Sequence, residues 1–143
     1  MDNTFFRKAT RDFIKLKAAN DLSATYSYMF TYDLPLDGGK SPWHCSDIPY
    51  AFHNCAIVPY TNNGEETDRL EEQISGAYVA FARTGCPQTD TLPEWPACTG
   101  DDEACMILDN PCEVRHNHDT ELLALHEKAE VLWRPNADGQ IQH

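Results

Sequence analysis

The stretch Ala24-Thr25-Tyr26-Ser27-Tyr28-Met29-Phe30-Thr31-Tyr32, followed after a short linker by Trp43-His44-Cys45-Ser46-Asp47-Ile48-Pro49-Tyr50, decides how this chain folds. Its first half is rich in aromatic and hydroxylated residues that favour extended backbone. Side chains alternate along a strand, so Tyr26, Tyr28, Phe30 and Tyr32 share one face, and the reading is a buried strand over 24–32. Asp37-Gly38-Gly39-Lys40-Ser41-Pro42 then breaks regular backbone, and residues 43 onward begin on a loop at the strand's carboxyl end. Ligands gather at that edge of open α/β sheets, which makes the loop carrying His44 the first candidate for function.

Upstream, Thr4 stands as an N-cap, and Phe6, Ala9, Phe13 and Leu16 recur at three- and four-residue spacing among Arg7, Lys8, Arg11 and Lys15. This predicts an amphipathic helix over 4–19. Downstream, a helix over 65–84 follows Asn62-Asn63-Gly64. Leu70, Ile74, Ala77, Tyr78 and Phe81 form its stripe, Glu65, Glu66 and Asp68 charge its first turn, and Gly85 closes it. Cys86-Pro87 and Pro93-Glu94-Trp95-Pro96 enforce irregular backbone. Cys105-Met106-Ile107-Leu108 and Cys112-Glu113-Val114-Arg115 flank Asp109-Asn110-Pro111 as a β-hairpin. Asp119 caps a last helix with Leu122, Leu125, Ala129 and Leu132 at helical spacing, and Pro135 with Asp138-Gly139 leaves 134–143 as a frayed tail.

The order is helix, strand, histidine loop, long helix, hairpin, C-terminal helix, an α/β pattern in one unit over 1–143 with no internal boundary. A lone aromatic strand cannot form a parallel sheet, and the hairpin lies too far along to be its obvious partner. The strand's backbone groups therefore call for neighbours from upstream strands of a longer protein or from another copy of the chain.

Eleven basic and 23 acidic side chains among 143 residues leave a net charge of 11 − 23 = −12. With the acids spread along the chain there is no basic surface for phosphates, so neither nucleic acid nor an anionic membrane is expected as a partner. The start lacks a basic segment followed by an apolar run, and no apolar stretch is long enough to span a bilayer, so the expectation is a soluble, cytoplasmic chain. In that compartment the six cysteines are free thiols.

Tyr26-Ser27-Tyr28-Met29-Phe30, a glycine-bearing linker, and His44-Cys45-Ser46-Asp47-Ile48-Pro49-Tyr50-Ala51-Phe52 together resemble the segment of type B carboxylesterases that bears the catalytic histidine. Phe81-Ala82-Arg83-Thr84-Gly85-Cys86-Pro87 is similar to the family's helix end. Trp95-Pro96 and Met106 stand where the family has a tryptophan-proline pair and a strand-opening methionine. Four landmarks in order cover most of the chain between Ala24 and Leu108. Cys86, Gln88 and Ala97 depart from the family pattern, at scaffold positions.

The resemblance implies the C-terminal part of an α/β-hydrolase fold, with His44 as general acid/base of a Ser-Glu/Asp-His triad and no cofactor. Family members carry the serine, in a glycine-x-serine-x-glycine elbow, and the acid far upstream. None of Ser23, Ser27, Ser41, Ser46 or Ser75 lies in such a frame, and no glycine-rich oxyanion loop is present, so His44 has no nucleophile here to activate. A small-molecule ester is then expected as substrate only together with an upstream esterase segment, and self-association is expected of the chain alone. Asp47 reads as a cap or brace of the loop rather than the triad acid. Two other readings stand beside this one: a non-catalytic, self-associating interaction module, and a zinc-binding module drawing on His44-Cys45, His53-Asn54-Cys55, Cys105, Cys112 and His116-Asn117-His118. The zinc reading lacks paired ligands at the usual short spacing.

Overall fold

A computed structural model describes residues 4–20, 23–61 and 64–133, so the expected tail at 134–143 lies outside the described residues. Helix α1 (Thr4–Asn20) leads to strand β1 (Ser27–Phe30), a short helix α2 (Ile48–Ala51), the long helix α3 (Glu65–Thr84), strands β2 (Ala104–Leu108) and β3 (Glu113–His116), and helix α4 (Thr120–Trp133). Single 3-10 turns occur at Leu36–Gly38 and Cys55–Ile57.

The predicted strand shortens to four residues, and it finds its neighbour within the chain. β1 pairs in parallel with β2, Ser27 opposite Cys105 through Phe30 opposite Leu108, and β2 pairs antiparallel with β3 to give the order β1-β2-β3. The expectation that the hairpin was too distant to partner β1 is therefore corrected. A parallel pair needs a long crossover, and α3 with the irregular segment after it provides one. β2, flanked by strands on both edges, is buried at every residue, whereas β3 is an exposed edge. On the described residues β1 has no strand on its other side.

The core lies between the sheet and α3, where Leu70, Ile74 and Ala77 meet Tyr32, Leu34, Tyr50, Leu92, Trp95, Met106 and Leu108. The helix closes as expected. Gly85 adopts the left-handed conformation at φ 77° and donates its N–H to the Phe81 carbonyl at 2.8 Å, a geometry open to glycine without steric cost.

Two helices present the opposite face from the one their apolar spacing suggests. On α1, Phe6, Phe13 and Leu16 are exposed, while Arg11 and Ile14 turn inward. The reason is Glu103, 1% exposed just before β2, which accepts Ser27 Oγ at 2.8 Å and Arg7 Nη1 at 2.9 Å. Arg7 also bonds Asp119, and Arg11 Nη2 reaches Thr120 Oγ1 at 2.7 Å. A buried carboxylate must be paired, so the guanidinium face of α1 is held against the sheet and Phe6 and Phe13 are left outside. Over residues 120–129 of α4 Leu123 is buried, whereas Leu122, Leu125 and Ala129 of the expected stripe are exposed; the Leu132 side chain lies outside the described ones.

Candidate functional site

β1 runs out at its carboxyl end with Thr31 N–H donating to the Leu108 carbonyl at 3.1 Å, the last tie to β2. Leu34 and Lys40 then exchange backbone hydrogen bonds of 2.8 and 2.9 Å around a tight loop. Asp37, Gly38 and Gly39 all have positive φ in that loop, which accounts for the Asp-Gly-Gly run. The chain reverses again at the histidine. Cys45 has φ 69°, Ser46 N–H donates to the Trp43 carbonyl at 3.0 Å, and Ile48 N–H to the Cys45 carbonyl at 3.3 Å.

Two anchors flank His44. Before it, Trp43 packs on Tyr60, ring centroids 5.1 Å apart, with the Lys40 ammonium 5.6 Å from the indole centroid. After it, Pro49 and Tyr50 of α2 are buried, and Tyr50 joins the core. The His44 side chain itself is exposed. The structure thus puts the sequence-expected histidine on a fixed turn beyond the carboxyl end of β1.

The turn is also held from the side. Tyr28 Oη donates to Asp47 Oδ2 at 2.9 Å and lies 2.7 Å from Tyr78 Oη of α3. Burial pushes the Tyr28 phenol well up from its ordinary value, and the Tyr78 hydrogen bond and the Asp47 charge add to the shift. Asp47 makes no side-chain cap to α2, so of the two roles expected for it the structure shows bracing. Further along, Glu71 of α3 accepts Cys55 N–H at 2.7 Å, and Thr61 Oγ1 donates to the Cys55 carbonyl at 2.9 Å.

The serines are arranged otherwise than in a catalytic relay. Ser46 is buried with its hydroxyl unpartnered among the described residues. Ser75 Oγ lies 3.5 Å and Glu71 Oε2 3.8 Å from the same atom, His53 Nδ1. A relay uses the two ring nitrogens separately, one toward the nucleophile and one toward the acid, and this grouping does not provide it. Among the described residues no three His, Cys, Asp or Glu side chains are grouped to hold a metal ion, and all six cysteines are unpaired. No helix among them is long and apolar enough to cross a membrane. A groove of about 170 Å³ lies between β1 and α3, walled by Tyr26, Tyr28, Tyr78, Phe81 and Trp95.

Comparison with known proteins bears on this arrangement. The model of the carboxylesterase family matches residues 1–125. The chain belongs to the carboxylesterase family. Phenmedipham hydrolase of Pseudarthrobacter oxydans is 34% identical over 89 residues, 57% of this chain and 18% of the hydrolase. Para-nitrobenzyl esterase of Bacillus subtilis is 24% identical over 107 residues, 73% of this chain and 22% of the esterase. The chain therefore spans about a fifth of the length of these curated relatives.

Among solved structures, an esterase from Clostridium hathewayi that hydrolyses aliphatic aromatic polyesters superposes with a TM-score of 0.82 at 45% identity. The superposition covers 87% of this chain and 25% of that one. A Geobacillus stearothermophilus carboxylesterase gives a TM-score of 0.60 at 28% identity over 71% of this chain and 21% of its own. The fold is that of a carboxylesterase segment of the α/β-hydrolase type, and the likeness fits the C-terminal portion of a type B carboxylesterase.

The sequence pattern puts Tyr28 and Tyr78 on the apolar faces of a strand and a helix. In the structure their phenol oxygens also meet each other, and that of Tyr28 reaches Asp47 of the histidine turn. The signal was an aromatic stripe made of tyrosine where phenylalanine or leucine would have filled the same space without a polar end.

Proposed function

We propose that this carboxylesterase-family segment supplies the general acid/base histidine, His44, to an ester hydrolase whose serine and acid are carried by polypeptide outside the present sequence. The observation that supports this most is the place of His44: exposed on a hydrogen-bonded turn of the segment that follows β1, within the motif that resembles the family's histidine loop. In the first half-reaction the imidazole takes the serine hydroxyl proton as the oxygen attacks the ester carbonyl carbon. It returns that proton to the alkoxide oxygen as the carbon–oxygen bond breaks. In the second, water loses its proton to the imidazole and attacks the acyl-enzyme, and the serine oxygen recovers the proton. The substrate is a small carboxylic ester, met only when the rest of an esterase is present.

Alone, the chain is expected to hydrolyse aryl or alkyl esters no faster than a histidine-bearing control protein. Joined or co-expressed with an upstream esterase segment that carries a serine elbow, acid and oxyanion loop, it should turn over esters. His44→Ala should then lower kcat by several orders of magnitude, while His53→Ala and His116→Ala keep most of it. Matched thermal melts guard against unfolding, and a folded His44→Ala enzyme that keeps a tenth of its rate would refute the assignment.

A second reading, a non-catalytic association module, draws on the exposed apolar residues of α1 and α4. It predicts association with no gain of turnover in the joined enzyme.

A further inference from the structure

The hydroxyls of Tyr28 and Tyr78 and the carboxylate of Asp47 form a chain of hydrogen bonds that joins α3, β1 and the histidine turn. Packing of β1 on α3 is already supplied by the rings, Tyr28 against Tyr78 edge-on at 6.2 Å and Tyr26 against Phe81 at 6.1 Å. Phenylalanine at 28 and 78 would pack as well. What the hydroxyls add is direction. A carboxylate only accepts, so the Tyr28 proton points at Asp47, and the Tyr28 oxygen is left to accept the proton of Tyr78. The order is Tyr78 O–H to Tyr28 O–H to Asp47 Oδ2, and it runs from the long helix through the strand to the loop. Each donor polarises the next, which strengthens the bond to the carboxylate.

Asp47 is the residue on which the turn pivots. Its carbonyl accepts Ala51 N–H at 3.1 Å to open α2, and the two residues before it, Cys45 and Ser46, hold the reversed backbone next to His44. A hydrogen bond to its carboxylate therefore restrains the segment that aims the imidazole. Trp43 on Tyr60 and Tyr50 in the core grip the chain before and after the turn, and the bond from Tyr28 to Asp47 holds it from the side.

Resting on the assignment of His44 made above, we infer that Tyr78 is a positioning residue, acting through Tyr28 and Asp47 to set the orientation of the histidine turn. In this role Tyr78 works through its phenol oxygen, which is bonded to that of Tyr28. It acts by narrowing the range of turn conformations, so its loss lowers the fraction of enzyme poised for proton transfer and leaves ester binding alone.

The full chain by itself gives one readout. Amide hydrogen exchange followed by NMR compares Ser46 and Ile48, whose N–H groups close the turn, with Met106 and Ile107 in β2. Tyr78→Phe keeps the ring and deletes the hydroxyl, and exchange at Ser46 and Ile48 should rise about tenfold with the β2 amides unchanged. No change at the turn, or an equal rise in β2, overturns the proposal.

The second readout is the joined enzyme described above. Tyr78→Phe should lower kcat about tenfold at unchanged KM, and Asp47→Asn should do likewise, with Asp47→Glu recovering part of the loss. A change confined to KM, or equal rates for Asp47→Asn and Asp47→Glu, overturns it as well. If the joined enzyme works but ignores His44→Ala, the proposed function fails and the kinetic part falls with it. The exchange result would still decide whether the tyrosines restrain the turn.

Discussion

Burial divides the six thiols of this chain into two kinds. Cys55, held in the core beside Glu71, is pushed up to about 12, and Cys105, enclosed in β2, to about 11, in both cases chiefly by burial. Burial raises Cys98 and Cys112 in the same direction. Cys86 is drawn the other way, by its hydrogen bond with Tyr26, and Cys45 lies exposed next to His44. The thiolate is the reactive form, so iodoacetamide at pH 7.5 should alkylate Cys45 and Cys86 in the native chain and spare Cys55 and Cys105. Peptide mass spectrometry after a short pulse checks this, and modification of all six at one rate would mean that the buried pair is not enclosed. Alkylated Cys45 also reports on the histidine turn, since the bulky adduct sits one residue from His44.

Among the elements, α1 shows how a buried charge overrides apolar spacing. Its attachment rests on Arg7 and Arg11 meeting Glu103 and Asp119, with Lys8 adding an outer bridge to Glu127 at 3.3 Å. Removing one member of a buried ionic group strands the others. Glu103→Ala should therefore destabilise the chain by about 3 kcal/mol, read from the urea midpoint. Lys8→Ala should shift the midpoint too little to measure, because its partners are solvated. A Glu103→Ala chain as stable as its parent would show that α1 is held by something other than this carboxylate.

At the scale of the molecule, the side of β1 left without a strand among the described residues and the outward faces of α1 and α4 are surface that a larger α/β-hydrolase sheet would have use for. Phe13 is 65% exposed and Leu16 66%, with Leu122 and Leu125 exposed on α4. The chain alone is expected to associate with itself through this surface, giving sedimentation coefficients that rise with concentration. Addition of a complementary esterase segment should return it to a single defined complex. A monodisperse monomer at high concentration would contradict the expectation, and would mean that these residues are tolerated singly, as exposed apolar side chains often are.

Several features are local enough to be legible from the residues in order. Helix α3 matches its expected bounds at 65–84 because an acidic first turn, a stripe at helical spacing and a closing glycine all lie within one segment. The hairpin of β2 and β3 and the placing of His44 on a loop after β1 follow from turn residues beside β-formers. What tertiary structure alone decided depends on residues far apart in the chain. Nothing near Ser27 announces that its strand pairs with Cys105, because that pairing is made by folding α3 across the sheet. Nothing near Phe6 or Phe13 announces that they face outward, because the spacing of α1 is the same whichever side meets Glu103. The joining of Tyr28, Asp47 and Tyr78 is of the same kind. Periodicity tells which side chains share a face, and only the charge or hydroxyl lying opposite tells which way that face turns.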